Sequence, residues 1–292
     1  MITLYYNFIT FFSRIFGYRF FAVFSRLVST AYFFLFPKRV RTSARFYRAL
    51  FPDKGGLHHI WLAWRQFHSF TNVFLDRFLL LHGGNITYES EGWEVLESIV
   101  KEGRGGIIVM SHAGNWDVAA HLLRRRGLNL LLYMGARQRE QVEKIQKLHL
   151  SEKGLNVVTV DQEGGSPFDI LEGLNFLKKG GIISLAGDRV WSRSQRTVSV
   201  RFLGRRVSLP EAPHAIALAS GAPLLIFFAF RTGRGKYRIS ISSPVRVNAS
   251  SRHDRSAAIQ RSAQRYADIL AEKAGLYPLQ WYHFEEFFEN GE

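Results

Sequence analysis

Gly105-Gly-Ile-Ile-Val-Met110-Ser-His112-Ala-Gly114-Asn115-Trp-Asp117-Val-Ala-Ala120 passes from an apolar run, through a few polar residues, into a helical pattern. The run Gly105–Met110 is short, β-branched and uncharged, as a buried strand should be. Asn115 is a good N-cap for a helix that starts at Trp116 and continues to Arg126. A strand delivering a loop and then a helix is the repeating unit of an α/β fold, and it sets His112 at the carboxyl end of a strand, where open α/β sheets bind ligands. Residues five apart do not share a face of a regular helix, so contact between His112 and Asp117 requires the loop to fold back at Gly114, which tolerates a tight turn. Given that contact, an aspartate accepting from one imidazole nitrogen fixes the tautomer and leaves the other nitrogen as a general base. The alternative is a histidine satisfied in a loop beside an aspartate that favours the helix N-terminus. The bare pair leaves both readings open. Ser111 lacks a GxSxG elbow and, as the chain neighbour of His112, points to the opposite side, which argues against a serine hydrolase.

Outward from this segment the same alternation continues. A helix over Glu91–Lys101 precedes it; after it come a strand at Leu128–Tyr133, a helix at Arg139–Lys153, a strand at Asn156–Val160, a helix at Phe168–Lys178, a strand at Gly181–Ala186 and an apolar run at Leu224–Phe230. The order predicts an α/β fold with a mainly parallel central sheet flanked by helices. Tyr237–Val247 reads as an edge strand, His253–Ala274 as a helix, and Trp281–Phe288 as a closing aromatic cluster. Upstream, Pro52–Gly56 is a turn and His58–Leu81 a long helix stopped by Gly83-Gly84. Its Phe67, Phe70, Phe74 and Phe78 recur at helical spacing, which marks core more often than a ligand groove. Residues 1–37 form a separate N-terminal helix and residues 38–292 one domain.

The chain has 39 Lys and Arg against 24 Asp and Glu, a formal charge of +15, and 47% hydrophobic residues, which excludes a disordered chain. The basic residues are dispersed, without a nucleic-acid module, so an anionic membrane or acidic ligand suits the charge better than nucleic acid. There is no cysteine, which excludes thiolate chemistry and disulfides. His58, His59 and His68 have no ligand-spaced partners, and neither a P-loop nor a GxGxxG segment occurs; no metal and no nucleotide cofactor are expected.

Residues 1–37 are dense in Phe, Tyr, Leu and Ile, but Arg14, Arg19 and Arg26 interrupt every run before the roughly 18 residues of a spanning helix. At about 100° per residue these arginines share one half of the helical wheel, facing an aromatic and aliphatic half. That pattern suits a helix lying in the headgroup region, with a tilted span and packing on the protein's own core as alternatives.

His112-Ala-Gly-Asn-Trp-Asp117 resembles the His-x4-Asp/Glu mark of the bacterial lipid A late acyltransferases and, more broadly, of the lysophospholipid acyltransferases. Three further blocks resemble that family in order: Gly180 to Asp188-Arg189, where the family usually has Asp-Gln; Val200-Arg-Phe-Leu-Gly204 with Pro210 and Ala217 to Pro223; and Trp281-Tyr-His-Phe284. The resemblance implies a glycerolipid acyltransferase-like fold. It also implies His112 as base with Asp117 as its partner, and Asn115, Arg137, Asp188 and Arg189 as substrate contacts. Amides at the Gly114-Asn115 turn and at the N-terminus of the following helix, with a basic side chain such as Arg137 or Arg189 nearby, are expected to stabilise the oxyanion. The implied donor is a thioester on acyl carrier protein or coenzyme A, and the implied acceptor a hydroxyl or amine of an anionic membrane lipid such as a lipid A precursor, at the cytoplasmic face of a bacterial inner membrane. The same superfamily with an aminolipid, polyene or aminoacyl substrate, and a non-catalytic membrane-binding homologue, are the competing readings; the intact His112 and Asp117 argue against the last.

Overall fold

The computed structural model describes residues 2–81, 83–135, 156–160, 167–192 and 194–289. It opens with helices α1 (Ile2–Leu35), α2 (Pro37–Leu50) and α3 (Gly56–Leu81). Pro37 sits in the first turn of α2, where its missing N–H is no loss and its ring forbids continuation of α1. The axes turn by 92° at this break. There follow β1 (Thr87–Glu91), α4 (Trp93–Glu102), β2 (Gly106–Met110), α5 (Trp116–Arg125), β3 (Leu130–Gly135), β4 (Asn156–Val160), α6 (Pro167–Lys178) and β5 (Ile182–Ala186). The hairpin β6 (Thr197–Phe202) and β7 (Arg205–Pro210), α7 (Ala212–Ser220), β8 (Leu224–Gly233), β9 (Lys236–Ile241) and α8 (Arg255–Leu276) complete the chain. The helix expected at Arg139–Lys153 lies outside the described residues.

Among the described residues the main sheet has seven strands in the order β1-β9-β8-β2-β5-β3-β4. It is parallel except between β8 and β9, as the alternating sequence pattern predicts. β2 is buried along four of its five residues, hence its continuous apolar run. Its side chains alternate between two cores. Ile107 and Val109 face α2, α7 and α8 with Phe46, Ala217 and Tyr266, while Ile108 faces α4 and α5 with Leu96, Val118 and Leu122.

The strand expected at the sheet edge, Tyr237–Val247, is internal to the sheet. β9 is not an edge strand, because β1 pairs in parallel along its outer side. β1 is Thr-Tyr-Glu-Ser-Glu, exposed at four of five positions, and the charges that protect a sheet edge from pairing with other chains also hide it from a hydrophobicity pattern. The β6–β7 hairpin was also not foreseen as structure. Its turn is Leu203-Gly204, both with positive φ (50° and 77°), the geometry that two-residue hairpin loops prefer.

α1 runs antiparallel to α3. Phe21 meets Phe78 with ring centroids 5.2 Å apart, Thr30 Oγ1 lies 3.1 Å from His68 Nε2, and Phe33 meets Phe67 at 5.5 Å. Phe67, Phe70 and Phe78 of the aromatic stripe are thus packed against α1 and the C-terminal segment, with Phe67 and Phe70 both touching Phe284.

Candidate active site

β2 and β5 are adjacent and parallel, with Met110 opposite Ala186. Two residues beyond each strand end come His112 and Asp188, so the register brings them side by side at the carboxyl edge of the sheet. His112 Nδ1 lies 2.8 Å from Asp188 Oδ1, and the His112 main-chain N–H donates to Asp188 Oδ2 at 2.8 Å. The Trp281 indole N–H donates to the same Oδ2 at 2.9 Å.

Close backbone packing sets this corner. At Gly187 a Cβ would come within 2.4 Å of Val109 Cγ1, so a larger residue would push Asp188 away from β2. At Gly114, with φ +82°, a Cβ would lie 2.3 Å from the Ala229 carbonyl oxygen. Gly114 is therefore required both by its left-handed conformation and by the passage of the loop over β8.

Asp188 is fully buried while the His112 side chain is 22% exposed. Burial is the largest influence on the Asp188 carboxyl and pushes its pKa up. The charge and hydrogen bond of His112, the nearby His283 and the Trp281 donor outweigh it, and hold the carboxyl well below the usual range. Asp188 is accordingly an ionised acceptor, which makes His112 Nδ1 the donor and leaves a lone pair on Nε2. Burial above all pushes His283 down to about 4, so it stays neutral near pH 7. Its ring stands edge-on to His112 at 6.0 Å between centroids.

The expected His112–Asp117 contact is replaced by this one. Asp117 is the second residue of α5, and its carboxylate turns to α3, where Arg77 Nε donates to Oδ2 at 2.8 Å and Arg77 Nη2 donates to the same oxygen. The loop does turn at Gly114, but the helix carries Asp117 away from the ring, as its five-residue spacing requires. Asn115 is the N-cap, its Oδ1 accepting from the Asp117 and Val118 amides, and its Nδ2 donates to Tyr237 Oη at 2.9 Å. Both ends of that amide are committed to protein partners. Tyr237 in turn donates to Asp76, which also accepts from Arg231 Nε at 2.7 Å. The adjacent Asp76 and Arg77 of α3 thus tie down the start of α5, Arg77 directly through Asp117 and Asp76 through Tyr237 to Asn115.

The oxyanion expectation also changes. Gly114 N–H donates to the Gln280 carbonyl at 2.7 Å and Asn115 N–H to the Ala229 carbonyl at 2.8 Å, so neither turn amide faces a substrate, and in the first turn of α5 the Asp117 and Val118 amides donate to Asn115 Oδ1. Arg189 is buried beside Asp188 with its guanidinium 5.3 Å from the Trp191 ring centroid. Arg137 lies outside the described residues.

Sequence reasoning missed Arg77, Asp76, Tyr237 and Trp281. Only Trp281 carried a signal, as part of an aromatic block to which no role was attached. Asp188 was identified as a substrate contact, whereas in the structure its partners are His112 and Trp281.

The Arg77–Asp117 pair is about nine-tenths buried on both sides. Arg77→Met leaves a buried carboxylate without its partner and is expected to lower unfolding stability by about 3–5 kcal/mol. Arg77→Met combined with Asp117→Leu should recover most of the loss in urea unfolding; equal losses in the single and double variants would contradict this reading.

The profile of the bacterial lipid A biosynthesis acyltransferases matches residues 2–289. The chain is also similar to phosphatidylinositol mannoside acyltransferases. That of Mycobacterium tuberculosis (strain ATCC 25618 / H37Rv) is 24% identical over 195 residues, covering 65% of this chain and 57% of the relative. That of Mycolicibacterium smegmatis (strain ATCC 700084 / mc(2)155) is 25% identical over 193 residues, with the same coverage of 65% and 57%. The match therefore spans little more than half the length of these relatives.

Proposed function

The chain belongs to the bacterial lipid A biosynthesis acyltransferase family, and from that premise we propose that it transfers a fatty-acyl group from a thioester to a hydroxyl or amine of an anionic membrane glycolipid. The observation that carries this reading is the hydrogen-bonded His112–Asp188 pair, with a buried ionised carboxylate behind a partly exposed imidazole. In this mechanism His112 Nε2 removes the proton of the acceptor hydroxyl as its oxygen attacks the thioester carbonyl. The tetrahedral intermediate collapses by breaking the carbon–sulfur bond, and His112 returns the proton to the departing thiolate. Asp188 holds the ring in the productive tautomer and stabilises the imidazolium formed in between. No acyl-enzyme is needed.

Arg189, and Arg137 by its match to the family, are the candidate cations for the developing oxyanion and for acceptor phosphate. Asp117 holds the loop through Arg77 and Asn115 holds the helix start. The donor is an acyl carrier protein or coenzyme A thioester, and the acceptor is of the kind named in the family and its relatives, a lipid A precursor or a phosphoinositol mannoside. The test is incubation of the purified protein with labelled acyl carrier protein, then labelled acyl coenzyme A, in the presence of each lipid class. Transfer to a glycolipid supports the reading, and hydrolysis alone or no turnover with every pair rejects it.

The acceptor's chemistry calls for a membrane-facing surface at the cytoplasmic side of a bacterial inner membrane. Among the described residues no single helix is long and apolar enough to cross a membrane; only the bent pair Gly17–Leu35 and Pro37–Leu50 qualifies by length and composition. α1 packs one side on α3 and leaves Phe34 and Leu35 about three-quarters exposed, and Leu57, Trp61 and Trp64 at the start of α3 are exposed as well. The exposed Arg65 holds its guanidinium 4.9 Å from the Trp61 ring centroid. Exposed apolar rings with a cation beside them fit a bilayer interface of anionic lipid. Trp61→Ala with Trp64→Ala is expected to weaken partition onto phosphatidylglycerol vesicles by at least about tenfold, since each buried ring is worth roughly 1.5–3 kcal/mol. Sedimentation with vesicles measures it, and undiminished binding would move the membrane face elsewhere.

A further inference from the structure

The C-terminal segment is held against the histidine loop by two main-chain hydrogen bonds, Tyr282 N–H to the His112 carbonyl and Gly114 N–H to the Gln280 carbonyl, each 2.7 Å long. Between them Trp281 bridges Ala113 and turns its indole towards Asp188. The ring has almost no freedom. Phe46, Phe202 and Phe287 pack on it with centroids 4.7, 5.2 and 4.9 Å away, His283 stacks at 5.3 Å, and Gln66 Nε2 donates to its carbonyl. Trp281 is 1% exposed, so this shell is built around one buried donor.

The direction of that donor matters. An aspartate carboxylate turns about χ2, and Asp188 has its Oδ1 on the imidazole and its Oδ2 on the His112 main-chain N–H. One donor on Oδ2 defines a pivot; a second, from Trp281, fixes the carboxylate plane and keeps Oδ1 in line with Nδ1. The C-terminal segment therefore supplies orientation to a pair of residues that come from two other parts of the chain.

We propose that Trp281 is the positioning residue of the histidine base, its indole N–H locking the Asp188 carboxylate so that His112 holds a single Nδ1–H tautomer. The inference rests on the reading of His112 as the base. Its spectroscopic arm does not require acyl transfer, so failure of one is distinguishable from failure of the other.

The clean test replaces Trp281 with benzothienylalanine, which keeps the ring's shape and exchanges the N–H for sulfur. Trp281→Phe, which also opens a gap, is the coarser variant, and Phe202→Leu is the packing control, loosening the ring while leaving the donor. The imidazole nitrogen NMR spectrum of His112 should report one Nδ1–H tautomer in the wild type and in Phe202→Leu, and a mixture in the benzothienylalanine protein. With the transfer assay, kcat should fall at least about tenfold in the latter with KM within about twofold. A benzothienylalanine protein with an unmixed tautomer overturns the proposal, whatever its activity. A mixed tautomer in Phe202→Leu equal to that in the analogue protein overturns it as well, because packing alone would then account for the order.

Discussion

His112→Ala is expected to lower kcat for acyl transfer by about 10²–10⁴-fold, the usual contribution of a positioned general base, with KM for the thioester changed little. The imidazole takes the acceptor's proton in the first half of the reaction and returns it to the thiolate in the second, and the neighbouring His283 does not stand in for it, being buried, edge-on at 6.0 Å and with its pKa pushed down to about 4. The fold should survive. Asp188 keeps its donors from the main chain of residue 112 and from Trp281, and a water can take the place of a side chain that is 22% exposed. The same exposure makes the vacated site reachable, so added imidazole should restore part of the rate in a concentration-dependent way. Steady-state assays with purified protein measure both effects. A variant retaining more than about a tenth of wild-type kcat would remove His112 from the mechanism.

The strand, helix cap and turn around His112 were legible because each rests on local chemistry. Ile107 to Val109 can only be buried, Asn115 caps its own helix, and Gly114 adopts the positive φ that favours glycine. The partner of His112 was not legible in that way. Asp117 is near in sequence and lies in the motif, so local reasoning selects it; Asp188 is 76 residues away and becomes a neighbour only through the β2–β5 register. The information was present in principle, since both residues stand two positions past the end of a buried apolar strand. Deciding that these two strands are adjacent requires the topology, however, and the order of strands along the chain places β3 and β4 between them. Arg77 and Asp76 were hidden for another reason: they are charged residues in a helix dominated by its aromatic stripe, and their burial depends on what α5, β8 and β9 offer them.

Asp188→Asn is expected to cost about 10³–10⁴-fold in kcat, by the tautomer logic established for carboxylate-oriented histidines, and it separates the two aspartates of the site. Two donors, the His112 main-chain N–H and the Trp281 indole, converge on the Oδ2 position. An asparagine must put its carbonyl oxygen there, which leaves its NH2 group facing His112 Nδ1. That nitrogen then accepts, the ring proton moves to Nε2, and the lone pair needed to deprotonate the acceptor is lost. Because the fault is a proton on the wrong nitrogen rather than a shifted titration, raising the pH should not restore activity. Asp117→Asn meets Arg77 instead; it should lower unfolding stability and leave the His112 tautomer unchanged. Nitrogen NMR of the imidazole together with kcat in the three proteins decides the matter. An Nδ1–H tautomer persisting in Asp188→Asn, or an inverted one in Asp117→Asn, would return the orienting role to the aspartate inside the motif.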